Sequence, residues 1–319
     1  MKRVLVISVI CVAMLATAAN AQLMGSGVKW PYSSNPDGVI PYVGDNPPAI
    51  DGVLSQAEKD ASLHFWYGPS IITAWGDQYG YTRGPDYVPD RVAVGAAGDV
   101  DNNLALGEDE DAAEKATDAD WFGHFYWGWD EDFLYVAAEV IDNVYDIIGT
   151  SDWSFWCRDG FFLEGDFLGD GGVDPTPDDV AVQLHPMNQD EAIYSIQSWG
   201  AGEEGEAGNH MYGTDPAFFQ GSTQAGGPTE TGWVLEAAVA WDVLFRGVPE
   251  SRNVIAVGHR FNMTLICPDP DGGDGYGQSF WGRDYSIMSD RGWWPDFYLG
   301  TAEGTSVEST SWGALKSQF

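Results

Sequence analysis

The chain has 319 residues, with Lys+Arg 14 against Asp+Glu 49 and a formal net charge of −35. So acidic a surface repels nucleic acid and anionic membranes, which removes both as partners, and it suits Ca2+ or neutral ligands such as sugars. With 44% hydrophobic and 14% aromatic residues the sequence can bury a large core, so it reads as globular.

Residues 1–21 read as a signal peptide. Lys2 and Arg3 precede the apolar run "VLVISVICVAMLA", and Ala19-Asn20-Ala21 has the small-x-small form of a cleavage site. That run is too short to span a bilayer, and no later segment is apolar enough for insertion. The expected location is therefore secreted, at the cell surface or periplasmic, with cell-surface or extracellular matrix partners open to it. Residues 22–43 form an N-terminal segment, 44–301 the folded domain and 302–319 a tail. In that tail Trp312, Leu315 and Phe319 could dock on the body or on a partner.

Helical periodicity is scarce. "LSQAEKDASLHF" (54–65) holds one or two turns and "WDVLFRG" (241–247) one more. Strand signals dominate. In "WDEDFLYVAAEVID" (129–142), Leu134, Val136, Ala138 and Val140 form one apolar set with a two-residue period. Further strands are expected in 159–168, 179–187, 191–199, 232–241 and 254–267. Three segments read as loops: 66–120, 200–230 and 269–292, rich in Gly and acid. Many short strands between Gly and Pro breaks predict an all-β fold, an antiparallel β-sandwich of jelly-roll-like form with long acidic, Gly-rich loops.

Beyond the leader two cysteines remain, Cys157 and Cys267, either as one disulfide or as two separate buried thiols. "CPDPDGGDG" sets Asp269, Asp271 and Asp274 in a flexible turn, where hard oxygen ligands suit Ca2+. "EGDFLGDGGVDPTPDD" (164–179) is a further acidic loop of the same kind. In "DVDNNLALGEDED", Asp99, Asp101, Asn103 and Glu110 have EF-hand-like spacing, but Leu104 stands where that loop needs Gly. The five histidines (His64, His124, His185, His210, His259) show no metal-binding spacing, and His185 and His259 read as structural. No nucleophile elbow or Cys/His signature appears, and so many acids single out no catalytic pair. The chain reads as non-catalytic.

Six motifs occur in order: "PPAIDGVLSQAEKDAS", "WDEDFLYVAAEVID", "WSFWCRDGFFLEGDF", "TGWVLEAAVAW", "VGHRFNMTLICPDPDG" and "WWPDFYLG". In this order they resemble the family 9 carbohydrate-binding module and its relatives in the DOMON-like sandwich group, over roughly residues 44–300. The resemblance implies a non-catalytic β-sandwich that grips a sugar end between two tryptophans, with Ca2+ supporting its loops. On this chain the two tryptophans fall at Trp156 and Trp294. The family's sugar-binding Glu falls at Phe162, which cannot bond a hydroxyl, and Glu164 on the same strand face is the substitute. The family's Arg falls near Gln183. Arg291 lies three residues before Trp294. The implied carbohydrate set is thus Trp156, Trp294, Glu164, Gln183 and Arg291: flat indoles for the C–H face of a pyranose, polar groups for its hydroxyl rim.

Three alternatives stand beside this reading. One is an extracellular structural or adhesion protein with the same fold and no sugar site. Another is a haem-binding electron-transfer relative using Met263 or Met187. The last is an enzyme, for which the sequence offers no constellation.

Overall fold

A computed structural model describes residues 34–35, 38–68, 118, 121–145, 147, 158–171, 176–188, 194–198, 209–213, 219–269, 277–281 and 294–302. These residues build two sheets face to face. The first has five strands in the order β2 (Leu63–Tyr67), β3 (Trp121–Trp129), β4 (Phe133–Asp142), β10 (Gly232–Ala240) and β9 (Thr223–Pro228). The second runs β1 (Val39–Ile40), β13 (Asp296–Leu299), β11 (Arg260–Asp269), β5 (Phe161–Asp166), β6 (Asp179–Leu184), β7 (Tyr194–Ser198) and β8 (Asn209–Gly213). An eighth strand, β12 (Gly277–Trp281), pairs with the far half of β11. All named strand pairs are antiparallel except β1 with β13, which is parallel. The expected all-β sandwich is the architecture observed.

The period-two set of β4 faces inward. Leu134, Val136, Ala138 and Val140 are all buried in the core between the sheets. They meet Leu163 and Phe161 of β5, Val182 of β6 and Leu265 of β11 from the other side. Aromatic rings bridge the layers: Phe125 and Phe161 meet edge to face at 5.8 Å, and Trp127 and Phe297 lie tilted to each other at 4.9 Å. Met263 lies in this core with no exposure.

Side chains tie sequence-distant motifs together. Glu236 of β10 accepts the backbone N–H groups of Asp51, Gly52 and Val53 at 3.2, 2.6 and 3.1 Å. The "IDGV" turn thereby docks on the outer face of the five-stranded sheet. Asp130, ahead of β4, accepts the N–H groups of Asp132 and Phe133 and the Tyr135 hydroxyl. The Trp241 indole, in the single helical turn Trp241–Leu244, donates to the Asp130 carbonyl at 2.9 Å. The helix α1 (Gln56–Ala61) starts with a capping box, Ser55 and Glu58 each accepting the other's N–H. Its Lys59 pairs with Glu139 of β4 at 2.6 Å.

Several segments depart from the sequence reading. The one or two helical turns expected within 54–65 are present as Gln56–Ala61, but the strand β2 that begins at Leu63, with Leu63 and Phe65 facing the core, was not expected. The loop expected over 200–230 contains β8 and β9, and that over 269–292 contains β12. The strand expected from 254 starts at Arg260, because the 3-10 helix Pro249–Val254 is followed by a turn closed by the His259 N–H to the Ala256 carbonyl at 2.9 Å.

Candidate functional site

β5 and β6 sit side by side in register, Phe162 opposite Gln183 and Glu164 opposite Ala181. Phe161, Leu163, Val180 and Val182 point to the core, so Phe162, Glu164, Ala181 and Gln183 share the outer face. Trp294 packs against Ala181 in a small cluster separate from the main core. Trp294, Glu164 and Gln183 are therefore brought to one sheet face from three places in the sequence. Glu164 and Gln183 are buried, and Trp294 is 0% exposed. Trp156 and Arg291 lie outside the described residues, so the separation of the two tryptophans does too.

Trp294 is held from beneath. Asn262 of β11 donates from Nδ2 to the Trp294 carbonyl at 3.4 Å and to Asp296 Oδ1 at 2.6 Å. Arg260 donates from Nη1 to Asn262 Oδ1 and Asp296 Oδ1, at 3.2 and 3.3 Å. The Met263 N–H donates to the Pro295 carbonyl at 3.2 Å. The turn that carries Trp294 into β13 is thus fixed by both backbone and side chains of β11.

Arg260 also reaches the next loop, donating from Nη2 to the Gly169 carbonyl. Here Asp166, Asp170 and Asp178 each present an oxygen within 4.8 Å of the others. Asp166 accepts N–H groups from Gly169 at 2.7 Å, Asp170 at 3.3 Å and Gly171 at 2.7 Å. Gly169 and Gly171 take φ of 67° and 71°, which turns the backbone around the carboxylate at little steric cost. Burial, with Asp178 and Asp179 close by, pushes the Asp166 carboxyl up to about 8. A hard dication would reverse that penalty, and clustered carboxylate oxygens are the ligand set Ca2+ takes. This loop fits Ca2+. Of the loop expected from sequence, Asp271 and Asp274 lie outside the described residues; the backbone of Asp269 ends β11 opposite Gly277. The EF-hand-like segment and Cys157 also lie outside them, while Cys267 is buried in the core.

His185 and His259 have the structural roles expected. His185 Nδ1 meets the Asp159 carbonyl at 2.9 Å, and burial lowers its imidazole to about 4. His259 Nε2 meets the Phe167 carbonyl at 2.9 Å.

No family model matches the chain, and no curated protein matches it. Two solved structures of a family 9 carbohydrate-binding module from Caldicellulosiruptor kristjanssonii are similar to it. The domain is similar to family 9 carbohydrate-binding modules. The module in complex with glucose has 13% identity and a TM-score of 0.46, covering 82% of this chain and 95% of its own. The module in complex with cellotriose has 11% identity and a TM-score of 0.44, covering 82% of this chain and 93% of its own. A likeness of this degree assigns no residue a role.

Proposed function

We propose that this chain is an exported, non-catalytic carbohydrate-binding protein whose sugar site lies on the outer face of the eight-stranded sheet. The observation that carries the reading is the convergence of Trp294, Glu164 and Gln183 on one sheet face. An indole stacks on the apolar face of a pyranose, while a carboxylate and a carboxamide accept and donate along its hydroxyl rim. Trp156 is the second wall in this reading, and Arg291 a further donor. Ca2+ in the 166–178 loop supports the site from beside it, through the Arg260 contact with Gly169. Because Trp294 is wholly buried, a ligand that stacks on it must first displace what covers the ring.

Calorimetric titration with glucose, cellobiose, xylose and longer glucans tests this. Binding of one sugar end per chain is expected, weakened about tenfold or more in Trp294→Ala, as for loss of a buried aromatic anchor. Absence of heat with every glycan, or equal affinity in Trp156→Ala, Trp294→Ala and the unaltered protein, overturns the reading. One observation favours a second reading, a structural or adhesion sandwich without a sugar site. Trp294 fills space over Ala181 with no surface left for a ligand. In that case Trp294→Ala lowers thermal stability and no glycan binds.

A further inference from the structure

The outer face of the other sheet carries a different chemistry. His64 of the edge strand β2 and His124 of β3 are 60 residues apart in sequence. Antiparallel pairing sets Trp66 opposite His124 and His64 opposite Tyr126, so the two imidazoles are diagonal neighbours on one face. His64 Nε2 and His124 Nδ1 approach to 3.0 Å. Two nitrogens bound to one tetrahedral zinc, at about 2.0–2.1 Å each, stand about 3.3 Å apart, close to the observed separation; with the ring centroids 5.3 Å apart the imidazoles face each other head-on, so each turns by about 35° to direct its lone pair at a shared ion.

The surroundings hold the rings in place. His64 stacks on Tyr126 at 4.6 Å with 9° between the planes, and Trp66 lies tilted to His64 at 5.1 Å. Phe122 lies 5.3 Å from His124. Both imidazoles are half-buried and not sealed from solvent. Glu139 stands opposite His124 on β4, paired with Lys59 at 2.6 Å. In the 3.0 Å contact one of the two facing nitrogens carries the proton and the other accepts it, so an ion binds here by displacing that proton or shifting it to the far nitrogen of its ring.

We propose that His64 and His124 form a two-imidazole site for a divalent transition ion of the Cu2+, Ni2+ or Zn2+ class, with water completing the coordination. Imidazole selects these ions over Ca2+, and the affinity order follows Ni2+ below Cu2+ and Cu2+ above Zn2+. Glu139 lies next to the pair and becomes a third ligand if Lys59 is displaced. The site is separate from the sugar face and from the acidic loop, so it stands or falls independently of both.

The test uses untagged, EDTA-stripped protein in excess CaCl2, which occupies the carboxylate sites. Titration with CuCl2 and ZnCl2 is expected to show one tight ion per chain. Loss of an outer-shell partner of a metal ligand already costs 10–100-fold, so His64→Asn and His124→Asn should each weaken binding by about tenfold or more. His210→Asn, on another strand, should leave it unchanged. Equal affinity in His64→Asn, His124→Asn and the unaltered protein overturns the proposal. Electron paramagnetic resonance of the unaltered protein with one equivalent of Cu2+ decides the matter without any variant. Hyperfine coupling to two imidazole nitrogens is expected, and an all-oxygen spectrum overturns the site.

Discussion

Glu236 shows how one side chain can set a pH response. It is buried on β10, and one oxygen, Oε2, serves three backbone donors. Its other oxygen, Oε1, has no partner among the described residues. Burial, opposed by the N–H groups of Gly52 and Asp51, pushes the carboxyl up to about 7. A carboxyl raised in the folded state contributes stability below its unfolded value, and that contribution is lost as pH rises through the folded value. The contribution is therefore full below about pH 4.5 and lost towards pH 7 and above. Glu236→Gln should flatten this part of the pH dependence. The difference in unfolding free energy between pH 5 and pH 8 should shrink by on the order of 2 kcal/mol, read from urea melts of both proteins. Glu236→Ala orphans three donors and should cost about 3 kcal/mol at pH 5, and less at pH 8, where the contribution of the carboxyl it removes is already lost. A pH profile identical to the unaltered protein in Glu236→Gln would show that this carboxyl is neutral throughout or unstrained.

At the level of elements, sequence and structure part company in an instructive way. β4 and β10 were legible because one face is buried and the other mixed, which imposes a period of two. β9, "TQAGGP", has no such period, because an edge strand needs no second packed face and Gly contributes no side chain. What β9 offers instead is a clasp: Gln224 donates from Nε2 to the His185 and Met187 carbonyls, at 2.8 and 3.0 Å, linking it to the end of β6 in the other sheet. Gln224→Met keeps the volume and removes both bonds. It should destabilise by about 2 kcal/mol in urea melts, and a change under about 0.5 kcal/mol would show that water replaces the amide. The candidate sites follow the same division. Glu164 was legible because its strand was, and the acidic loop because Asp and Gly mark it. The His64–His124 contact had no signal in sequence: it depends on the β2–β3 register, and β2 was not expected, since its residues fall partly in the stretch read as holding one or two helical turns and partly in the loop read over 66–120. The support of Trp294 by Asn262 and Arg260 was equally hidden, since it rests on β11 pairing with β13.

Over the whole molecule, a net charge of −35 opposes compaction through self-repulsion. Adding NaCl should raise the melting temperature by screening. If the 166–178 loop holds Ca2+, then CaCl2 at matched ionic strength should raise it further. Stabilisation by about 2.7 kcal/mol is expected at a hundredfold excess over the dissociation constant. Asp166→Asn should remove this calcium-specific part and leave the NaCl effect unchanged. Equal shifts with NaCl and CaCl2 at the same ionic strength would assign the whole effect to screening. Calcium and a sugar ligand should also reinforce each other if Arg260 links the acidic loop to the Trp294 turn, and by linkage the factor must be the same in both directions.

The parallel contact between β1 and β13 has a mechanical consequence. The Tyr298 N–H donates to the Gly38 carbonyl, Gly300 to Ile40, and Tyr42 to Thr301. Because the two strands run the same way, tension applied through the chain before Gly38 and after Thr301 slides one along the other. All three bonds then bear the load together instead of opening one at a time like a zipper. A tethered copy of this domain should resist stretching until that short ladder ruptures in a single step.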